Sequence, residues 1–559
     1  MTTMDAAAPA DDRVDVLIAG GSLVGLSTAL FLAWHGVRPL VVEQHRSTAI
    51  HPRAGGFTQR TIETYRSVGL EPEIRNEGQS QFLQDGAIMG VETLAGRELV
   101  WFLYNFNEGA EGVSPTDRTF ITQNLLEPIL RRRAEQLGAE VRFGTRLDSF
   151  AVDDGGVTAV VTDRDRNQTS RVRARYLVAA DGGRSSIRQQ LGIAMKGRGV
   201  FSNSVTIYFR ADLAAVIGNR RLSIIYVNNP ALRGFFRLEK TSTSGFLVIN
   251  TVGDTADPGA ANVADGITEA RAMELLRAAI GVPDLPIKIE NILAWQASAQ
   301  AAETFRRGPV FLVGDAAHSM PPNGGFGGNT GVHDAHNLAW KLAFVLQGKA
   351  GPGLLATYDA ERRPIAAFAA EQAYSRYVRR TAPYLGTHDI AELADDLAIE
   401  IGHRYHSQAM DDDGGTDIYE DVRNPSAKPG TRAPHVFVQH RGRRISCIDL
   451  LGRNHVVFAG LQGEAWCVAA CNAATKLGFA IDSYRIGTAD DMIGGEARFG
   501  EIYRLAGSAA VLIRPDGFIA WRAEAVTGDP ERSLIEALTR TLCREPLPAT
   551  AAKSAIVSG

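Results

Sequence analysis

Residues 17–30, LIAGGSLVGLSTAL, join an apolar strand to a buried helix through a glycine-rich turn, and no other stretch restricts the fold so strongly. The strand RVDVLIAGG (13–21) is a near-continuous apolar run through Val14, Val16, Leu17 and Ile18, the pattern of a buried parallel strand. In the helix that follows, from Leu23 to His35, small residues (Gly25, Ser27, Ala29) permit close approach to a sheet, and Gly36 ends it. VRPLVVEQH is then a second strand ending in Glu43 and Gln44. This order predicts the first βαβ unit of a dinucleotide-binding sheet. The turn departs from Gly-x-Gly-x-x-Gly, because its three places read Gly20, Ser22 and Gly25. A middle glycine lets the backbone approach a pyrophosphate; serine is the next smallest choice, and its hydroxyl is able to donate to a phosphate oxygen. Gly21, Leu23 and Val24 complete the turn and the uncovered helix start, whose free N–H groups and positive dipole end attract phosphate. Glu43 is placed to accept from a ribose hydroxyl. The unit alone does not separate FAD from NAD.

A chain of 559 residues exceeds one core, so about two to four domains are expected. A net charge of -4 gives no electrostatic reason to expect nucleic acid or an anionic membrane as partner. The start, MTTMDAAAPADD, lacks a basic and an apolar segment and reads as a loose lead rather than a signal peptide. The apolar runs are too short to span a bilayer. Cys447, Cys467, Cys471 and Cys543 all fall in the last quarter, against a secreted disulfide scaffold. A soluble cytoplasmic protein is the expectation.

Two later motifs narrow the cofactor. ARYLVAADGGRSSIRQQLGI (174–193) is a strand running into Asp181 and Gly182, then a helix carrying Arg188. RRGPVFLVGDAAHSMPPNGGFGGNTGVHDAHNLAWKLAFVL (306–346) is a strand ending at Asp315, a glycine-rich loop, and a long helix beginning near Asn329. An acid at a strand's carboxyl end suits hydrogen bonding to a polyol such as ribityl. The loop sets flexible backbone, and then a positive helix end, against a flat ligand. His318 and His333 lie among acids here, but the glycine-rich spacing places no ligand set on one helix face, and no metal is expected.

Gly20–Gly25 with Glu43, then Asp181-Gly182, then Gly314-Asp315 resemble the single-component FAD-dependent aromatic hydroxylases, the p-hydroxybenzoate and phenol hydroxylase family. HPRAGGFTQRTIETYRSVGL, ITQNLLEPILRRRAEQLGAEVRFGTRL and LLATYDAERRPIA resemble the family's connecting segments, so the likeness covers residues 13–375. Within the family the chain is most similar to the aromatic-polyketide hydroxylases, the aklavinone hydroxylase type. The resemblance implies that Arg53 and Gln123 contact FAD and that Asp315 holds its ribityl chain. Pro322, Gly325, Gly327, Gly328 and Asn329 would border the flavin, with Gly328 and Asn329 offering N–H groups to its N1–C2=O edge. It further implies NADH or NADPH docking near Arg53 and Asp181, and transfer of oxygen from O2 through a flavin C4a-hydroperoxide to an electron-rich phenolic or polyketide ring. Three places depart from the family's pattern: Ser22, Phe326 and Gly328.

The implied fold is multidomain, α/β with α+β. A Rossmann-like FAD-binding domain (13–80, 116–200, 296–395) carries an inserted antiparallel-sheet substrate domain (81–115, 201–295). A linker (408–430) leads to a thioredoxin-like domain (431–545), through which a homodimer could form. Alternating segments between 201 and 252, with KIENILAWQASAQ, predict the substrate sheet, and TEARAMELLRAAIG one helix. Trp101, Phe102, Tyr104 and Phe106 read first as ordinary core and only second as a cavity lining, and Arg237 and Trp295 are ambiguous in the same way. Tyr226 is the candidate catalytic residue. Cys467-x-x-x-Cys471 is one residue too long for a redox pair, so the thiols read as buried or half-buried packing. Baeyer–Villiger, epoxidising or ring-opening oxygenation shares the same flavin motifs and stays open, while a halogenase would need a Trp-x-Trp-x-Ile-Pro signature that the sequence lacks. A non-catalytic or thiol-redox protein would depend on Cys467 and Cys471.

Overall fold

The computed structural model describes residues 12–50, 54–254, 257–487 and 492–545; Arg53 and the expectations for residues 1–11 and for the last residues lie outside them. Val16, Leu17 and Ile18 are fully buried because their strand, Asp12–Ala19, runs between parallel neighbours on both sides. The parallel part of this first sheet runs Val310–Leu312, Gln168–Ala179, Asp12–Ala19, Leu40–Glu43, Glu140–Phe143. Ala19 stands opposite Ala179 and Val42, and Ala179 opposite Leu312. The strands therefore stop in step, and the three motifs leave their carboxyl ends side by side, where ligands of open α/β sheets bind.

The second sheet has eight strands, in the order His318–Ser319, Lys288–Ala302, Met195–Arg210, Ser244–Val252, Leu232–Leu238, Leu222–Asn228, Ala87–Val91, Glu98–Leu103. It is mixed rather than wholly antiparallel. Ala87–Val91 pairs parallel to Leu222–Asn228, because the chain enters that edge long before it returns and no hairpin joins the two. Ile225, Val227, Phe236 and Leu247 turn one face into a core with Leu275, Leu276 and Ala279 of the helix Glu269–Ile280. Alternation puts Tyr226, Phe235, Arg237, Phe246 and Val248 on the opposite face, in register across three strands.

The C-terminal unit is a four-stranded sheet, Ile481–Arg485, His455–Ala459, Ala510–Ile513, Ile519–Ala523, with helices Glu464–Leu477 and Pro530–Thr541. Trp340 and Phe344, from the helix Phe326–Leu346, share its core. Residues 408–430, Asp-, Gly- and Pro-rich, form no helix or strand, yet Ala409, Met410 and Ala427 are buried. Backbone bonds from Asp411 to Ala520 and from Gly430 to Ile519 lay the segment along the last strand. Cys467 and Cys471 sit one turn apart inside a helix and form no disulfide, and Cys471 is exposed rather than buried because it lies on the helix's solvent side. Among the described residues no helix is long and apolar enough to cross a membrane.

Candidate functional site

The fingerprint turn is held by groups from three directions. Glu43 accepts from the Gly21 N–H at 2.7 Å and from the His45 N–H at 2.8 Å, so the carboxylate ending the second strand braces the turn. A β-carbon on Gly25 would overlap the Gly20 carbonyl, and one on Gly20 the Ala180 carbonyl; these two glycines bring strand, turn and helix into contact. Ser22 begins the helix Leu23–Trp34, but its hydroxyl does not face a phosphate site. It donates to Glu127 Oε1 at 2.6 Å, while Gln123 Nε2 donates to both Ser22 (2.8 Å) and Glu127 (2.6 Å). The expectation for the Ser22 hydroxyl is corrected on that ground: its only hydrogen is committed to a buried carboxylate. Gln123 Nε2 is committed in the same way, and its Oε1 faces the Ala54 N–H at 3.4 Å.

At the neighbouring strand end, Asp181 Oδ2 faces the Ile187 N–H at 3.3 Å, whereas Oδ1 is buried with no partner. A β-carbon added on Gly182 or Gly183, the next two residues, would meet nothing within 4 Å. Asp315 is exposed at the end of Val310–Leu312, and Gln44, Pro322 and Gly325 are exposed as well.

The glycine loop returns to the turn through its helix, Phe326–Leu346. A β-carbon on Gly331 would clash with Val24 and one on Gly328 would lie 3.2 Å from Leu23 Cδ2, so the start of this helix packs against the start of the fingerprint helix. Neither start is capped by a side chain, although the helices Gln59–Ser67 and Glu269–Ile280 carry threonine caps. Two sets of orphan N–H groups thus converge. Asn329 clamps the loop: Nδ2 donates to the carbonyls of Gly325 (2.7 Å) and Gly56 (3.1 Å), and Oδ1 accepts from the Thr58 N–H (3.0 Å) and the Thr61 hydroxyl (2.6 Å). Phe326, the departure at the loop, is buried against Ala369, Ala373 and Ile399, pinning the loop to the helix Thr357–Arg380. His318 Nε2 donates to Asp334 Oδ2 at 2.7 Å, and Arg362 Nε donates to Oδ1 of the same carboxylate at 2.8 Å, all fully buried. Burial holds His333 neutral, well below the usual imidazole range, beside Thr61 and stacked on His403.

The outward face of the second sheet meets the end of the helix Thr357–Arg380 at Tyr226 and comes near Gly55 at Arg237, next to the Gly56 carbonyl that Asn329 holds. Arg380, on the last turn of Thr357–Arg380, reaches Tyr226 Oη at 3.4 Å and lies over the rings of Phe102 and Tyr226. Burial pushes its guanidinium down, but Tyr226 and Asp396 outweigh that and raise it. Phe102 and Phe235 meet Tyr226 at 5.5 and 5.8 Å. Phe106 stacks on Phe120 at 3.9 Å. Trp101 packs against the sheet's core, Tyr104 is exposed, and Trp295 donates to Thr206. Sequence reasoning missed Arg380, because nothing in a helix's closing arginine pair announces a tyrosine on a distant strand.

Residues 13–373 match the FAD binding domain family, and residues 426–544 match the family described as aromatic-ring hydroxylase, C-terminal. The chain belongs to the FAD-dependent aromatic-ring hydroxylases. It is 50% identical to a 4-methyl-5-nitrocatechol 5-monooxygenase of Burkholderia sp., over 96% of this chain and 99% of that protein. It is 36% identical to an aklavinone 12-hydroxylase of Streptomyces purpurascens, over 96% of this chain and 100% of that one. A crystal structure of aklavinone-11 hydroxylase with FAD and aklavinone superposes with a TM-score of 0.90 at 36% identity, covering 96% of this chain and 100% of that one. As an aromatic-ring hydroxylase, this chain is a flavoprotein monooxygenase whose cofactor is FAD and whose co-substrates are a reduced nicotinamide and O2. Its residues fit that cofactor: two uncapped helix starts for diphosphate and flavin, an orphaned Asp181 oxygen, and open space at Gly182, Gly183 and Gly325.

Proposed function

We propose that the enzyme hydroxylates a phenolic ring held between the glycine loop and the Tyr226 face, with Tyr226 accepting the phenol's proton. The observation that carries this is the Arg380–Tyr226 contact on the face opposite the loop. Gly20, Gly21, Leu23, Val24 and Gly25 hold the diphosphate of FAD, Glu43 a ribose, Asp315 the ribityl chain, and Gly327, Gly328 and Asn329 the flavin edge. Bound FAD, reduced by NADH or NADPH, supplies an electrophilic oxygen derived from O2. The protein's part is to position and to move a proton. As its phenolate, Tyr226 Oη takes the proton of the substrate hydroxyl and becomes the neutral phenol, while Arg380, donating to the same oxygen, stabilises the negative charge shared by the two oxygens. Phe235, packed against Tyr226, keeps water from one side of the ring.

The relatives' names cover a nitrocatechol and polycyclic polyketides, and both classes present the phenolic ring that this geometry requires. The C-terminal unit is read as a non-catalytic thioredoxin-like domain available for dimer contacts. Its support is one parallel strand pair joined through a helix, followed by an antiparallel hairpin and a closing helix. The test is to purify the protein with FAD, follow NADH and NADPH oxidation against phenols, catechols and polycyclic phenols, and identify products by mass. Addition of one oxygen to an intact ring is expected. A colourless protein that takes up no FAD, or ring-opened and ester products alone, would overturn the proposal.

A further inference from the structure

Arg237 is 5% exposed on the face that carries Tyr226, one strand away from it. Phe120 and Phe82 press on its guanidinium, with ring centroids 3.8 and 4.2 Å from its central carbon. Among the described residues, the buried Nε and Nη2 have no acceptor and no carboxylate answers the charge; burial alone pushes the group down to about 9. Arg362, Arg432 and Arg514, buried to this degree, each meet a carboxylate, and Arg188 donates to the carbonyls of Ala316 and Gly183. Gly55 stands beside Nη1, from which an added β-carbon would lie 3.8 Å. Gly55 adjoins Gly56, whose carbonyl is tied to Asn329 at the loop helix. A buried cation without a counterion is costly, and such a group is retained where a ligand supplies the missing acceptors.

We propose that Arg237 is the residue that selects substrates, receiving a planar two-oxygen substituent, a carboxylate or a nitro group, carried by the ring that Tyr226 addresses. The inference rests on the functional reading above and deepens it. A guanidinium pressed by two rings offers its N–H groups within its own plane, which suits a flat pair of oxygens better than a single hydroxyl. Phe82 and Phe120 line the approach with apolar surface, so an oxygen pair entering there loses water and depends on Arg237 alone.

The test uses the FAD-loaded enzyme without nicotinamide, so that nothing turns over. Dissociation constants for catechol, 4-nitrocatechol and 3,4-dihydroxybenzoate are read from the perturbation of flavin absorbance, for wild type, Arg237→Gln and Arg237→Lys. Wild type should prefer the nitro and carboxylate rings by about 10- to 100-fold over catechol. Arg237→Gln should erase that preference while leaving catechol and FAD affinities within about twofold, and Arg237→Lys should keep part of it. Melting of the ligand-free protein supplies a second reading: Arg237→Gln should not lower the midpoint, since it removes an unanswered charge. Equal weakening for all three rings, loss of FAD affinity with the ring preference intact, or a marked fall in melting temperature would overturn the proposal. No ring preference in a wild-type holoenzyme that oxidises phenols would overturn this inference alone. Failure to take up FAD would overturn the functional reading with it.

Discussion

Ser22 donates its one hydroxyl hydrogen to Glu127, 2.6 Å away, across the junction between the fingerprint helix and the helix Gln123–Gln136. Glu127 is fully buried and is met by three donors in all, from Ser22, Gln123 and the Ala49 N–H. The serine at the middle fingerprint place thus serves a carboxylate beneath the turn, which explains a hydroxyl where glycine is usual. Removing it should cost about 1–3 kcal/mol, the expense of an under-served buried carboxylate. Ser22→Gly should therefore melt several degrees lower and still bind FAD. Ser22→Leu should lose FAD because its side chain fills the turn. Thermal melts and flavin-fluorescence titrations check both, and undiminished FAD affinity in the leucine variant would show that the turn stays clear of the cofactor.

Two glycines of the site should respond in opposite ways to an added methyl group. A β-carbon on Gly25 overlaps the rigid carbonyl of Gly20, whereas one on Gly328 meets only Leu23 Cδ2 at 3.2 Å and the Ala54 methyl at 3.4 Å. Gly25→Ala should purify without flavin, and Gly328→Ala should retain it. The ratio of flavin to protein absorbance in the purified variants decides this. A yellow Gly25→Ala protein would mean that the turn can open without losing the cofactor.

The first sheet was legible because each of its motifs is local. Val16–Ile18, the small residues after Gly20 and the acid at position 43 lie within one βαβ unit, and their spacing reports their geometry. The inward and outward faces of the second sheet were legible only as alternation. Which face met a helix core and which met the glycine loop depended on the helix Glu269–Ile280 covering Phe236 and leaving Tyr226 outside. Arg380 and Arg237 were invisible as partners for a different reason. One is defined by a contact over 154 positions and the other by the lack of a counterion, and neither leaves a periodic trace in the chain. The Ser22 hydroxyl was assigned the wrong acceptor, since Glu127 arrives from a helix about a hundred residues away.

Tyr226 and Arg380 should act as a pair. Tyr226→Phe removes the proton acceptor and should lower kcat by about 100-fold or more, with FAD affinity unchanged. Arg380→Met leaves the tyrosine but removes the cation beside its oxygen, so its kcat should fall by a smaller factor than that of Tyr226→Phe. Stopped-flow turnover from pH 6 to 10 separates the two. A Tyr226→Phe enzyme with wild-type turnover across that range would remove the tyrosine from the mechanism.

Glu400 should give the protein a pH dependence of unusual sign for a carboxylate. It is buried and paired to Arg118 Nε at 2.7 Å, yet burial, with Asp395 and Asp396 nearby, outweighs the arginine and pushes it from 4.5 up to about 7. Between those values the folded chain holds a proton that the unfolded chain has lost, so stability falls as pH rises. The loss is greatest near pH 7 and ceases above it, once both states are ionised. The ceiling on the effect is about 3 kcal/mol, or about 1.4 kcal/mol per pH unit. Glu400→Gln keeps the shape without the titration. Urea unfolding of both proteins at pH 5, 6, 7 and 8 should show wild type losing stability relative to the variant up to pH 7 and no further. A constant difference across the series would place the Glu400 carboxyl near its ordinary value and give Arg118, rather than burial, control of the pair.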